Sequence, residues 1–165
     1  MIKFKSTIVA EIISEAIILS TPLIEAIGGK EKGIAIVVTN PNIKFDPNAT
    51  DDVNFDEVAW VKREIGLTTD KRRKYALAKA FYSWKSGTPS KYAATNPEVL
   101  SDGDCIWGGS HLIDLGSGYS LVVAVSGMKE CEDEFISKLI INAIQMILGR
   151  KVAALKESDK LSAIV

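Results

Sequence analysis

"GGSHLIDLGSGYSLVVAVSG", Gly108 to Gly127, decides the fold class. Two apolar runs, near 110–115 and 119–126, flank a short "GSG", and a glycine-rich break between such runs predicts a hairpin. Working outward, "GIAIVVT" (Gly33–Thr39) is another β-branched run bounded by turn residues, the form of a buried strand. Upstream of it, Ile8, Ile12, Ala16, Leu19, Leu23 and Ile27 recur at steps of three and four, with Ile13, Ile17 and Ile24 widening the stripe, and predict a helix over 5–27. Pro22 kinks or restarts that helix, and Gly28-Gly29 ends it. Downstream of the hairpin, Phe135, Ile136, Leu139, Ile140, Ala143, Ile144 and Ile147 form one side of a helix from about Glu130 to Leu148. Ile141 and Met146 fall outside that stripe and point to a second buried contact. Helices flanking mostly antiparallel strands give an α+β class, one sheet with helices packed on it.

Between these elements the pattern is weaker. "IKF" after "NPN" reads as the start of a short return strand, and Asp46–Asp52 as a loop. Asn54 with Glu57 resembles a capping box ahead of Phe55, Val58, Val61 and Ile65, with Gly66 as a stop, and predicts a short helix. Thr69 or Asp70 caps a further helix to about Trp84, buried through Leu77, Ala80, Phe81 and Trp84. Residues 88–103 read as irregular. No linker or repeat divides the chain, so 1–148 is expected to be one domain and 149–165 a tail or extra helix.

The 165 residues carry 20 basic and 21 acidic side chains, a balance that gives no electrostatic case for nucleic acid. The run Lys71-Arg72-Arg73-Lys74 reads as a solvated face. A hydrophobic share of 47% exceeds what a polar monomer needs and predicts a homo-oligomer. No secretory signal is visible, and no segment reads as long and uncharged enough to cross a membrane, so the expected location is cytoplasmic. Cys105 and Cys131 match no metal spacing and are expected to be unpaired.

Candidate chemistry centres on a few residues. His111, the lone histidine, follows Gly108-Gly109, which would let a ligand approach the backbone. It reads as a turn or structural residue, a pocket acid/base or a haem ligand. One histidine without a carboxylate or cysteine cluster does not make a zinc site. Ser126-Gly127 forms a strand-to-helix turn able to present N–H groups, but Glu130, Glu132, Asp133 and Glu134 crowd the helix start and disfavour phosphate. Lys79, inside the apolar "YALAKAFYSW", either reaches solvent, pairs with a carboxylate, or acts as a nucleophile or base. Asp51, Asp52, Asp56 and Glu57 lack the spacing of a calcium loop. Trp84, Tyr92 and Trp107 sit near breaks and serve either packing or an apolar pocket.

Taken in order, Lys79-Ala80, Gly108-Gly109, Ser126-Gly127 and Asp133-Glu134 resemble the GlcG/HbpS-like (DUF336-type) group of haem-associated proteins, over roughly residues 8–147. The resemblance implies a profilin-like sandwich assembled into tetramers or octamers, and a small ligand, haem among the candidates, held near Trp107, Gly108, Gly109, His111 and Ser126. The chain departs from the pattern where "VVT" replaces the usual "VVD" ending and "FDPNATDDVNFDEVAW" replaces an arginine-aspartate-glycine segment. The histidine that some relatives carry near the first helix is also missing. Two other readings stay open: a small-metabolite enzyme using His111 as acid/base with Lys79 or Ser126 assisting, and a noncatalytic accessory subunit.

Overall fold

The computed structural model describes residues 6–40, 58–95, 107–116 and 119–157. In chain order these form α1 (Ser6–Ala26), the single turn α2 (Gly29–Lys32), β1 (Ile34–Val38), β2 (Val61–Ile65), α3 (Asp70–Ser86), a 3-10 segment (Ser90–Thr95), β3 (Ser110–Gly116), β4 (Tyr119–Ser126) and α4 (Glu130–Glu157). The expected "IKF" strand, the 46–52 loop, the Asn54–Glu57 cap, the acidic cluster, Cys105 and the last eight positions lie outside the described residues.

The strands make one antiparallel sheet in the order β2-β1-β4-β3. β1 and β4 are central and covered on both faces, which is why their sequences are continuous apolar runs: all five β1 residues are buried, and Leu121–Val125 are fully so. Alternation then sorts the side chains between two layers. Ile34, Ile36, Val38, Ile113, Leu121, Val123 and Val125 face α1 and α4, while Ala35, Val37, Val122 and Ala124 face α3. Small residues on that second face let α3 sit close, with Ala76 and Ala80 against Ala35 and Ala124.

Several expectations are corrected. Residues 61–65 are a strand paired to β1, not a helix: Val61 and Ile65 are four apart, which puts them on one face of a strand as well as of a helix. The helix α4 runs on to Glu157 rather than stopping at Leu148. The helix α1 is not restarted at Pro22 but runs unbroken through it, and the Ser20 and Thr21 hydroxyls donate to the carbonyls of Ala16 and Ile17 just ahead of it, at 2.7 Å each. The face α1 buries is only part of the expected stripe: Ile12 and Ala16 enter the core with Ile13, Ile17 and Ile24 that widen it, whereas Leu19, Leu23 and Ile27 are exposed together with Ile18. A helix apolar on most of its circumference does not declare its inner face by period alone. The same composition makes Thr7–Ala26 long and apolar enough to span a membrane, against the reading that no segment is; in the fold its inner face packs against α4 in the core. In α4, Ile141 is buried as its off-stripe position implied, but Phe135 and Met146 are exposed.

Candidate functional site

A cleft of about 500 Å³ opens at the end of the sheet where β4 runs out, α4 begins and the first turns of α3 pass over both. Lys71, Arg72, Tyr75 and Lys79 recur along α3 at helical spacing and form one wall. Trp107 and Glu130 line it from the other side, and Ser126 with Gly127 from the strand end.

The floor is a buried ion pair. Lys79 Nζ donates to Asp133 Oδ2 and to the Val125 carbonyl, both at 3.0 Å, and the two side chains are 3% and 4% exposed. Asp133 Oδ1 accepts from Met128 N at 3.0 Å, so both carboxylate oxygens are used. Burial raises the Asp133 carboxyl above its ordinary pKa, while the Lys79 ammonium and the backbone donors act against that. The pair joins α3 to α4 past the end of the sheet, and it can do so because Gly109 has no side chain. A Cβ there would stand 2.7 Å from the Val125 oxygen and 2.9 Å from Lys79 Nζ. Beside it, Gly108 N donates to Glu130 Oε1 at 2.7 Å, and a side chain at 108 would strike Glu134.

Three fully buried serines hold Trp107 in place. Ser83 and Ser110 share a hydroxyl–hydroxyl bond, Ser110 Oγ accepts from Ser90 N at 3.1 Å, and Ser90 Oγ donates to the Trp107 carbonyl at 2.9 Å. The Trp107 ring, 49% exposed, meets Tyr75 edge-on at 5.5 Å between centroids. On the opposite wall, Thr69 caps α3 by accepting from Arg72 N, and Arg72 Nη1 donates to the carbonyls of Lys32 and Gly33. Those carbonyls close α2, so the guanidinium sits where a helix end favours a cation. Lys71 Nζ lies 5.6 Å from the Tyr75 ring centre.

Of the residues singled out in the sequence, Lys79, Trp107 and Ser126 line the cleft, and Gly108 and Gly109 back it against α4. His111 lies elsewhere. It is on the α4-facing side of β3, 8% exposed, with Nδ1 2.6 Å from Ser137 Oγ. With the Ser137 proton on the Glu134 carbonyl, Nδ1 is the donor in the His111–Ser137 bond, and among the described residues Nε2 is buried with no hydrogen-bond partner. Burial, with Lys138 and Lys91 adding to it, lowers the His111 pKa to about 4. Folding therefore favours the neutral ring. Its contribution is complete above the unfolded pKa and drains away as pH falls toward the folded one, amounting to about 2 kcal/mol by pH 5. Asp133, raised rather than lowered, works in the opposite sense. Urea unfolding of the wild type and His111→Gln at pH 8 and pH 5 should show a larger acid loss in the wild type; equal losses would contradict this.

Lys71, Arg72 and Tyr75 were not singled out as site residues in the sequence. Their signal was the α3 spacing 71/72–75–79, visible only once Lys79 is known to face a cleft.

No family model matches the chain, and no curated protein matches it. Solved structures do. The Klebsiella pneumoniae protein ORFY, of the DUF336 family model, superposes with a TM-score of 0.63 at 10% identity, covering 88% of this chain and 93% of that one. A PduOC:heme complex gives 0.60 at 12% identity, covering 85% and 94%. A double mutant of Streptomyces reticuli HbpS gives 0.58 at 15% identity, covering 79% and 82%. The chain has the HbpS fold. Within that fold, the four dipeptides that carried the sequence resemblance meet at one place: Lys79, Gly108-Gly109, Ser126-Gly127 and Asp133-Glu134 are the ion pair, the gap it passes through and the loop that caps it.

Proposed function

We propose that the protein binds a small flat ligand in the cleft between α3 and the β4–α4 turn, as a binding protein of the GlcG/HbpS type. The observation that carries this reading is the cleft itself. It has an aromatic edge from Tyr75 and Trp107, and a floor whose buried charges are internally paired. A cavity of mixed apolar and precisely bonded polar lining is the usual form of a small-molecule site. The heme complex of PduOC supports haem as one candidate. The fit is with the body of such a group rather than with a histidine: His111 is on the other face of the sheet from the cleft, and Tyr75 carries a phenol of the kind that holds haem iron. Bound haem would supply redox or oxygen chemistry, and the residues here would orient it and shield one edge from water. No observation favours His111 as an acid/base for a substrate in the cleft.

A second reading, self-association, is supported by α1, where Ile18, Leu19, Leu23 and Ile27 are between 37% and 69% exposed. An exposed apolar stripe of this kind on a folded domain fits a second copy of the chain.

Haemin titration followed in the Soret region tests the ligand reading. Saturable binding is expected in the wild type and equally in His111→Ala, and weaker binding in Trp107→Ala. Absence of saturation in the wild type would remove haem, and loss confined to His111→Ala would move the site. Light scattering on the same samples checks assembly, and a monomer at all concentrations would overturn the second reading.

A further inference from the structure

We propose that the cleft selects a carboxylate, with the anionic group of an aromatic ligand set against Lys71 and Arg72 and its ring against Tyr75 and Trp107. The inference rests on the small-ligand reading and adds the polarity of the ligand and the direction in which it lies.

The argument comes from which charges in the cleft are already satisfied. The acids are. Asp133 accepts from Lys79 and Met128 N, and Glu130 accepts from Gly108 N. The cations are not. Among the described residues neither Lys71 nor Arg72 has a carboxylate partner, although Arg73 next to them takes both Glu64 and Asp70. Arg72 spends Nη1 on two carbonyls, which fixes the guanidinium and leaves its remaining N–H groups as donors. Lys79 uses two of its three N–H donors on Asp133 and Val125, leaving one at the floor for an acceptor atom. A preset cation pair on one helical turn, an aromatic edge one turn on and a single donor at the bottom match an acid head with a planar body. A phosphate is a poorer occupant, because Glu130, whose bond from Gly108 N leaves its charge in place, closes the opposite side and repels a dianion about twice as strongly as a carboxylate.

The test compares 2-naphthoate with 2-naphthamide, which share a ring system and differ in charge, by calorimetric titration of the full chain at pH 8. The acid is expected to bind about tenfold or more tighter than the amide, the scale of charge-assisted bonds to a fixed cation. Lys71→Gln, a surface change whose fold is checked by its melting curve, should shrink that ratio several-fold. Equal affinity for acid and amide overturns the carboxylate assignment and leaves the flat-ligand reading intact. An acid that does not bind overturns the assignment too, and if the amide and haemin also fail the ligand reading falls with it. An acid preference unchanged in Lys71→Gln overturns the placement on this wall.

Discussion

Asp133→Ala is expected to destabilise the fold by about 3–5 kcal/mol, because it leaves the buried Lys79 ammonium without its carboxylate partner. With Lys79 and Asp133 each almost wholly buried, the cost is the uncompensated charge rather than the lost attraction. Lys79→Met paired with Asp133→Ala should therefore recover much of the loss, since removing both charges removes the desolvation penalty with them. For a domain of this length the single change corresponds to a fall in Tm on the order of 10 °C. Urea denaturation of the two single variants and the double would measure the coupling. A single-variant loss below about 1 kcal/mol, the value of an exposed ion pair, would mean that the pair is solvated and that the cleft has no dry floor.

Gly109→Ala should cost about 3 kcal/mol or more, from the same place and a different cause. The new methyl would press on the Val125 carbonyl, on Asp133 Cβ and on Lys79 Nζ at once, and φ of 127° at this position is one that an L side chain rarely adopts. Gly87→Ala separates the two contributions. It too has positive φ, 69°, but nothing lies within 4 Å of its Cβ, so it should cost only about 1–2 kcal/mol of backbone strain. If the two variants melted alike, crowding around the ion pair would have no energetic weight.

Much of the framework was legible because burial on two faces leaves an unmistakable trace. "IAIVV" and "LVVAVS" read as strands from their apolar runs, α3 announced itself by its cap and buried stripe, and α4 by its period. Edges were harder. β2 buries only Val61 and Ile65 and exposes Lys62, Arg63 and Glu64 between them, so no alternation survives to mark it as a strand. The site was legible as a set of dipeptides and illegible as an arrangement. Lys79 and Asp133 are 54 residues apart, and nothing in one dimension says that a glycine pair midway between them is the gap through which they touch. His111 drew attention because it is the lone histidine, yet its surroundings, Ser137 and an apolar sheet face, come from an element that sequence proximity does not supply.

The Lys79–Asp133 pair also has a consequence for how the molecule breathes. It fastens the α3 layer to the α1/α4 layer around one end of the sheet, like a pin through two plates. Layers fastened at one end separate from the other, where β1 leaves the sheet at Val38 and β3 turns into β4 after Gly116. Backbone amides near Ser126 and Gly109 should then exchange with solvent only through global unfolding, and those toward Gly116 through smaller, more frequent openings. The cleft would sit at the still end of a structure whose motion is spent elsewhere.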